Sequence, residues 1–129
     1  MTLRPAIAHT WPDHYPHSCP PADAAPVSGD VYRLVENDPP TTADMQSYFV
    51  LNLASGQDCK RCSLSCYRNV DDANQLRDSV PKFRGHKIAQ AALGPGHGRI
   101  DATGKNGHRS LWVAKAHVPT IHVLFKVVA

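Results

Sequence analysis

Cys59, Cys62 and Cys66 stand in the spacing C-x2-C-x3-C, with Cys19 far upstream. A C-x2-C turn lets two thiolates converge on one ion, so Cys59 and Cys62 are half of a tetrahedral zinc site. Cys19 with His17 or His14 would complete it and staple the N-terminal segment to the rest of the chain. No second C-x2-C or H-x3-H pair exists in the sequence. The competing reading is free thiols: Cys66 alternates with Leu64 on one strand face and packs as a small hydrophobe. A structural disulfide is not expected without a secretory pattern. A redox C-x2-C needs a helix N-terminus to lower the thiol pKa, and here a strand follows.

The chain has eight histidines, and ten of its eleven acidic residues are aspartate, Glu36 being the exception. His9, His14 and His17 lie in a proline-rich stretch, His86 and His117 flank strands, and His122 falls in the last strand. His97 and His108 sit in turn-forming sequence, and loops on a rigid scaffold carry function disproportionately. Arg33 sits mid-strand on the face of Val31 and Val35, where an unpaired charge is costly to bury. Either that face is open to water or the guanidinium meets a carboxylate or phosphate, which its planar fork suits. Residues 82–87, KFRGHK, form the densest basic run and interleave Phe83. They are either a solvated helix–strand junction or a surface for single-stranded nucleic acid.

These side chains need elements to hold them. Residues 1–29 carry six prolines after Leu3, at 5, 12, 16, 20, 21 and 26, and read as an irregular arm packed on a domain that spans 30–129. Asp30–Glu36 alternates as a strand. Thr41 with Asp44 three residues on is a weak capping box for a short helix carrying Met45, Tyr48 and Phe49. Ser55–Arg61 reads as a loop and Ser63–Tyr67 as a strand. Asn69 caps a helix whose Ala73, Leu76 and Val80 recur at helical spacing until Pro81. Lys87–Leu93, Gly98–Thr103, Ser110–Lys115 and Ile121–Val128 then read as strands separated by turn sequences. Both faces of the last strand are partly apolar, which suits a central position. The expected fold is α+β: one domain, two short helices and a mostly antiparallel or mixed sheet of five to six strands.

A length of 129 residues suits a single core, and the net charge of +3 permits an anionic partner without requiring one. No apolar run approaches the length of a membrane span, so a cytoplasmic chain is expected.

The order Y-R-L-V strand, acidic-capped short helix, L-S-x-Y strand, D-D-A-x-x-L helix and strand-rich C-terminal half resembles the ADP-ribosyltransferase-like superfamily over residues 30–95. That family binds NAD in a cleft between two small sheets and includes toxins and RNA-modifying phosphotransferases. The resemblance implies Arg33 on the cofactor, Ser65 or Tyr67 shaping its pocket, and a late acid polarising a ribose hydroxyl. No late glutamate exists here, and Asp101 or His108 stands in that region as the candidate acid-base group. The stretch VYRLVENDPPT is also similar to a segment of bacterial proteins that carry no stated function. Three functions stay open: a NAD- or nucleotide-using transferase, a module binding nucleic acid or protein with or without zinc, and the protein partner of a larger effector docked through the arm.

Overall fold

Alternation of small and branched apolar residues in GDVYRLV and KIAQAAL builds the backbone of the fold. In the computed structural model, which describes residues 9–52, 58–104 and 107–129, these segments are β2 (Gly29–Val35) and β4 (Lys87–Leu93). They pair antiparallel along their whole length, from Gly29↔Leu93 to Val35↔Lys87. The other strands are β1 (Ala25–Pro26), β3 (Leu64–Tyr67), β5 (Gly98–Ala102), β6 (His108–Val113) and β7 (Lys126–Val127). All join one seven-stranded antiparallel sheet in the order β1-β5-β6-β3-β2-β4-β7. The α+β class holds, with seven strands where five to six are expected.

The join between the two halves of this sheet is slender. β3 pairs with β6 through four registered positions, but with β2 only at Tyr32↔Tyr67. Beyond that pair Arg33–Val35 and Leu64–Cys66 run without a shared ladder, so the sheet forks. Val31, Val35, Leu64, Cys66, Ala89 and Leu111 belong to the core on one face. Tyr67, Ala73 and Ile88 pack on the other, where α2 (Val70–Ser79) lies. The sequence reading holds for α2: Asn69 is its N-cap, and its side-chain oxygen accepts from the Asp72 N–H at 2.8 Å. Asp44 likewise accepts from the Thr41 N–H at 2.9 Å, but Thr42–Met45 forms only a 3-10 turn, so Tyr48 and Phe49 lie outside the short helix expected to carry them.

The structure corrects the sequence at three points. Ile121–Val128 is not a central strand: Ile121–Leu124 is a 3-10 turn, and only Lys126–Val127 pairs, at the sheet edge beside β4. Asp58–Arg61, expected as loop, is a single helical turn, α1, while residues 55–57 of that span lie outside the described residues. The expectation of free cysteines or a zinc set fails at Cys19 and Cys59, which form a disulfide with a Cα–Cα distance of 5.5 Å. Trp11 and Tyr15 pack beside this bond, with Trp112 buried beneath. The arm therefore crosses the outer sheet half, held by the disulfide and by the β1–β5 pairing.

Candidate functional site

The fork between β2 and β3 opens into a cavity of about 650 Å3. Arg33, Ser65, Tyr67 and His108 all line it, although 75 positions separate the first from the last (108 − 33). Its volume lies within the range of small-molecule sites. Leu34, Leu51 and Leu76 supply apolar wall, Tyr48 and Phe83 supply aromatic surface, and Lys82, His86, Glu36 and Asp44 are among the charged and polar groups of the lining.

Arg33 reaches the cavity because the pairing of β2 with β3 ends one residue before it, at Tyr32↔Tyr67. Its Nε donates to the Asp44 carbonyl at 3.0 Å and its Nη1 to the Ser65 carbonyl at 2.8 Å. The guanidinium thus bridges the fork, satisfying carbonyls on either side where the strand ladder has stopped. Burial lowers its pKa, and Cys66, Tyr48 and Asp44 raise it only in part. Arginine stays cationic through such a shift, so this is a partly buried positive charge. No carboxylate pairs with it among the described residues. The Asp44 carboxylate is turned to the Glu36 and Thr41 N–H groups and the Asn37 amide. Burial raises the Asp44 pKa, these donors outweigh it, and the carboxyl titrates below the ordinary range.

A second set of contacts runs across β3 and β6. Ser65 is registered opposite Ser110 and Tyr67 opposite His108, so all four side chains leave the same sheet face. His108 Nε2 lies 3.0 Å from Ser65 Oγ. Its Nδ1 lies 3.2 Å from Thr103 Oγ1, which in turn lies 2.5 Å from Ser110 Oγ. The Tyr67 ring meets the imidazole edge-on at 5.8 Å between centroids. Burial lowers the His108 pKa below its ordinary value, and Lys60 and Arg109 add to the shift. The shift favours the neutral imidazole, the form able to accept a proton from a hydroxyl.

The remaining expected site residues lie elsewhere. Asp101 is registered against Ser110 but is not part of the cavity lining, and its carboxylate accepts from the Ala102 N–H. The zinc set of Cys19, Cys59, Cys62 and His17 is overturned: the disulfide consumes the thiolates of Cys19 and Cys59. Cys62 is buried, burial raises its pKa, and His17 is exposed. Among the described residues no group of three His, Cys, Asp or Glu could hold a metal ion. The KFRGHK run does contribute, because Lys82, Phe83 and His86 line the cavity rim. Thr103 and Ser110 are site residues that sequence reasoning missed. Their only signal is strand alternation around a turn, which shows no register.

No protein-family model matches the chain, and neither a curated protein nor a solved structure shows significant similarity to it.

Proposed function

We propose that the fork cavity binds a nucleotide of the NAD class and that the chain is an ADP-ribosyltransferase-like transferase. One observation supports the reading: Arg33, Ser65 and Tyr67, the residues the resemblance singles out, line a single cavity with His108, one of the two groups offered for the unmatched late acid, while Asp101, the other, lies outside it. The Arg33 guanidinium has two N–H groups on carbonyls, and its remaining donors suit a diphosphate, with Lys82 as a second cation. Tyr48 and Phe83 offer aromatic surface for the two rings, and Tyr67, buried against Ala73 and Ile88, floors the pocket. Neutral His108 takes the proton of an acceptor hydroxyl. A carboxylate to balance positive charge developing on the ribose is the weak part of the set, since Asp101 lies outside and Asp44 is fully engaged. Glu36, at the rim 3.6 Å from His86, is the carboxylate left for that task.

A binding module without turnover uses the same cavity and the same cations. Its zinc-stabilised form is withdrawn with the cysteine set. As to location, no helix among the described residues is long and apolar enough to cross a membrane. A disulfide that ties down the arm favours an oxidising compartment over the reducing cytoplasm first expected.

The test is thermal denaturation with NAD, ADP-ribose and ADP, for the natural chain and for Arg33→Lys. A ligand at a hundred times its Kd adds about 2.7 kcal/mol, which appears as a Tm rise of several degrees. Arg33→Lys keeps the charge but loses the fork, and should abolish that rise. A chain indifferent to all three nucleotides refutes the reading. Nicotinamide release from NAD then separates transferase from module.

A further inference from the structure

Ser65, His108, Thr103 and Arg33 together hold the parts of an activated nucleophile. The hydroxyl of Ser65 lies 3.0 Å from His108 Nε2, and Thr103 Oγ1 holds the opposite nitrogen at 3.2 Å. The imidazole is thereby fixed between two hydroxyls, as a general base must be. Ser110, fully buried, backs Thr103 from the next turn of the ladder. The fourth part is the Arg33 guanidinium, tied to the carbonyl of the same serine. A cation there stabilises the negative charge that develops on a carbonyl oxygen when its carbon is attacked beside it.

We infer that Ser65 is a catalytic nucleophile toward carboxylic esters with an apolar acyl group, with His108 as its base and Arg33 as the oxyanion partner. Ser65 Oγ bonds to the carbonyl carbon while His108 Nε2 takes the hydroxyl proton. The tetrahedral oxyanion lies toward Arg33. Collapse breaks the bond to the leaving alcohol, which receives the proton from His108. Water, deprotonated by the same imidazole, then attacks the acyl carbon; collapse breaks its bond to Ser65 Oγ, which takes the proton back from His108, and the acid leaves. Leu34, Leu51 and Leu76 supply an apolar wall for the acyl chain. This activity does not rest on nucleotide binding, although it uses the same cavity.

The base faces Lys60 on α1, which donates to the Thr103 carbonyl, Arg109 on β6 and Tyr67 on β3. Both cations favour neutral imidazole, so the reaction should already be at its plateau at pH 7 and decline only below about pH 6.5, the ordinary histidine value.

The experiment is labelling of the full chain with a fluorophosphonate, read by intact mass and peptide mapping, alongside hydrolysis of p-nitrophenyl acetate. In the probe reaction the Oγ–P bond forms, P–F breaks and His108 takes the proton. One adduct, on Ser65, is expected. Ser65→Ala should give none and should lose ester hydrolysis, and His108→Gln should slow labelling about a hundredfold or more. Thr103→Val, a positioning change, should displace the pH inflection of labelling while the adduct stays on Ser65. Ser65→Cys guards against a misfolded alanine variant: its new thiol should react with iodoacetamide while buried Cys62 and Cys66 do not. No adduct, an adduct elsewhere, or ester hydrolysis undiminished in Ser65→Ala overturns the inference. Labelling that ADP-ribose fails to slow leaves the nucleophile standing and counts against the nucleotide reading; a nucleotide-induced Tm rise without labelling does the reverse.

Discussion

At the residue scale the account rests on polar side chains that the backbone could not have left idle. Arg33 stands on the apolar face of its strand, between Val31 and Val35, which are buried. That position is legible in the sequence, because alternation alone assigns the face. What the sequence does not show is why the charge is tolerable: the sheet parts beside it, and two carbonyls need donors. His108 is legible only as a histidine near a turn; its hydroxyl partners come from strand register. Its lowered pKa has a consequence for stability. The unfolded chain binds the proton near the ordinary histidine value of about 6.5, the folded chain only at lower pH. Between those values the unfolded state holds more protons, so the His108 contribution is complete above about pH 6.5 and is lost as pH falls toward the folded pKa. Urea midpoints for the natural chain and His108→Gln, compared from pH 7.5 to pH 5, should converge on acidification. A gap that widens instead would mean the imidazole is charged in the fold.

At the element scale the best-read pieces are those with both a periodic face and a chemical terminus. α2 has Ala73 and Leu76 on its inner side, Asn69 at its start and Pro81 beyond its end. Asn69→Ala removes the acceptor of the Asp72 N–H and should cost about 1 kcal/mol, as other N-caps do. Urea denaturation measures this, and a change near zero would show that water serves that N–H equally well. The C-terminal segment reads as a strand because alternation and a 3-10 turn both bring Ile121 and Phe125 inward. Both are 2 % exposed, but Val123, which alternation places between them on the same face, is 66 % exposed. Val123 N–H to the Thr120 carbonyl and Phe125 N–H to the His122 carbonyl are turn bonds, not ladder bonds. The fork was equally hidden, since how many pairs two strands share is a property of the assembled sheet.

At the scale of the whole molecule, the cavity depends on two sheet halves that meet at one registered pair, and on an arm fixed to the outer half. Cysteine spacing could not reveal the Cys19–Cys59 bond, because four cysteines allow three pairings and the arm's path is not written in its prolines. Cross-linking residues 40 apart removes loop entropy from the unfolded chain worth about 4 kcal/mol. Cys19→Ser with Cys59→Ser should therefore lower the urea midpoint substantially. Thiol titration of the natural chain should count two thiols after denaturation and essentially none before, since Cys62 and Cys66 are buried and burial pushes Cys66 up to about 11. Four thiols after denaturation under non-reducing conditions would remove the disulfide from the account.

The central claim is that the fork between β2 and β3 is a binding site and not a packing gap. Titration of 15N-labelled protein with ADP-ribose tests it directly. The account predicts saturable shifts gathered at Arg33–Glu36, Ser65–Tyr67, Lys82–His86 and His108, and their loss in Arg33→Lys. Shifts scattered over the surface, or confined to the arm, would contradict it.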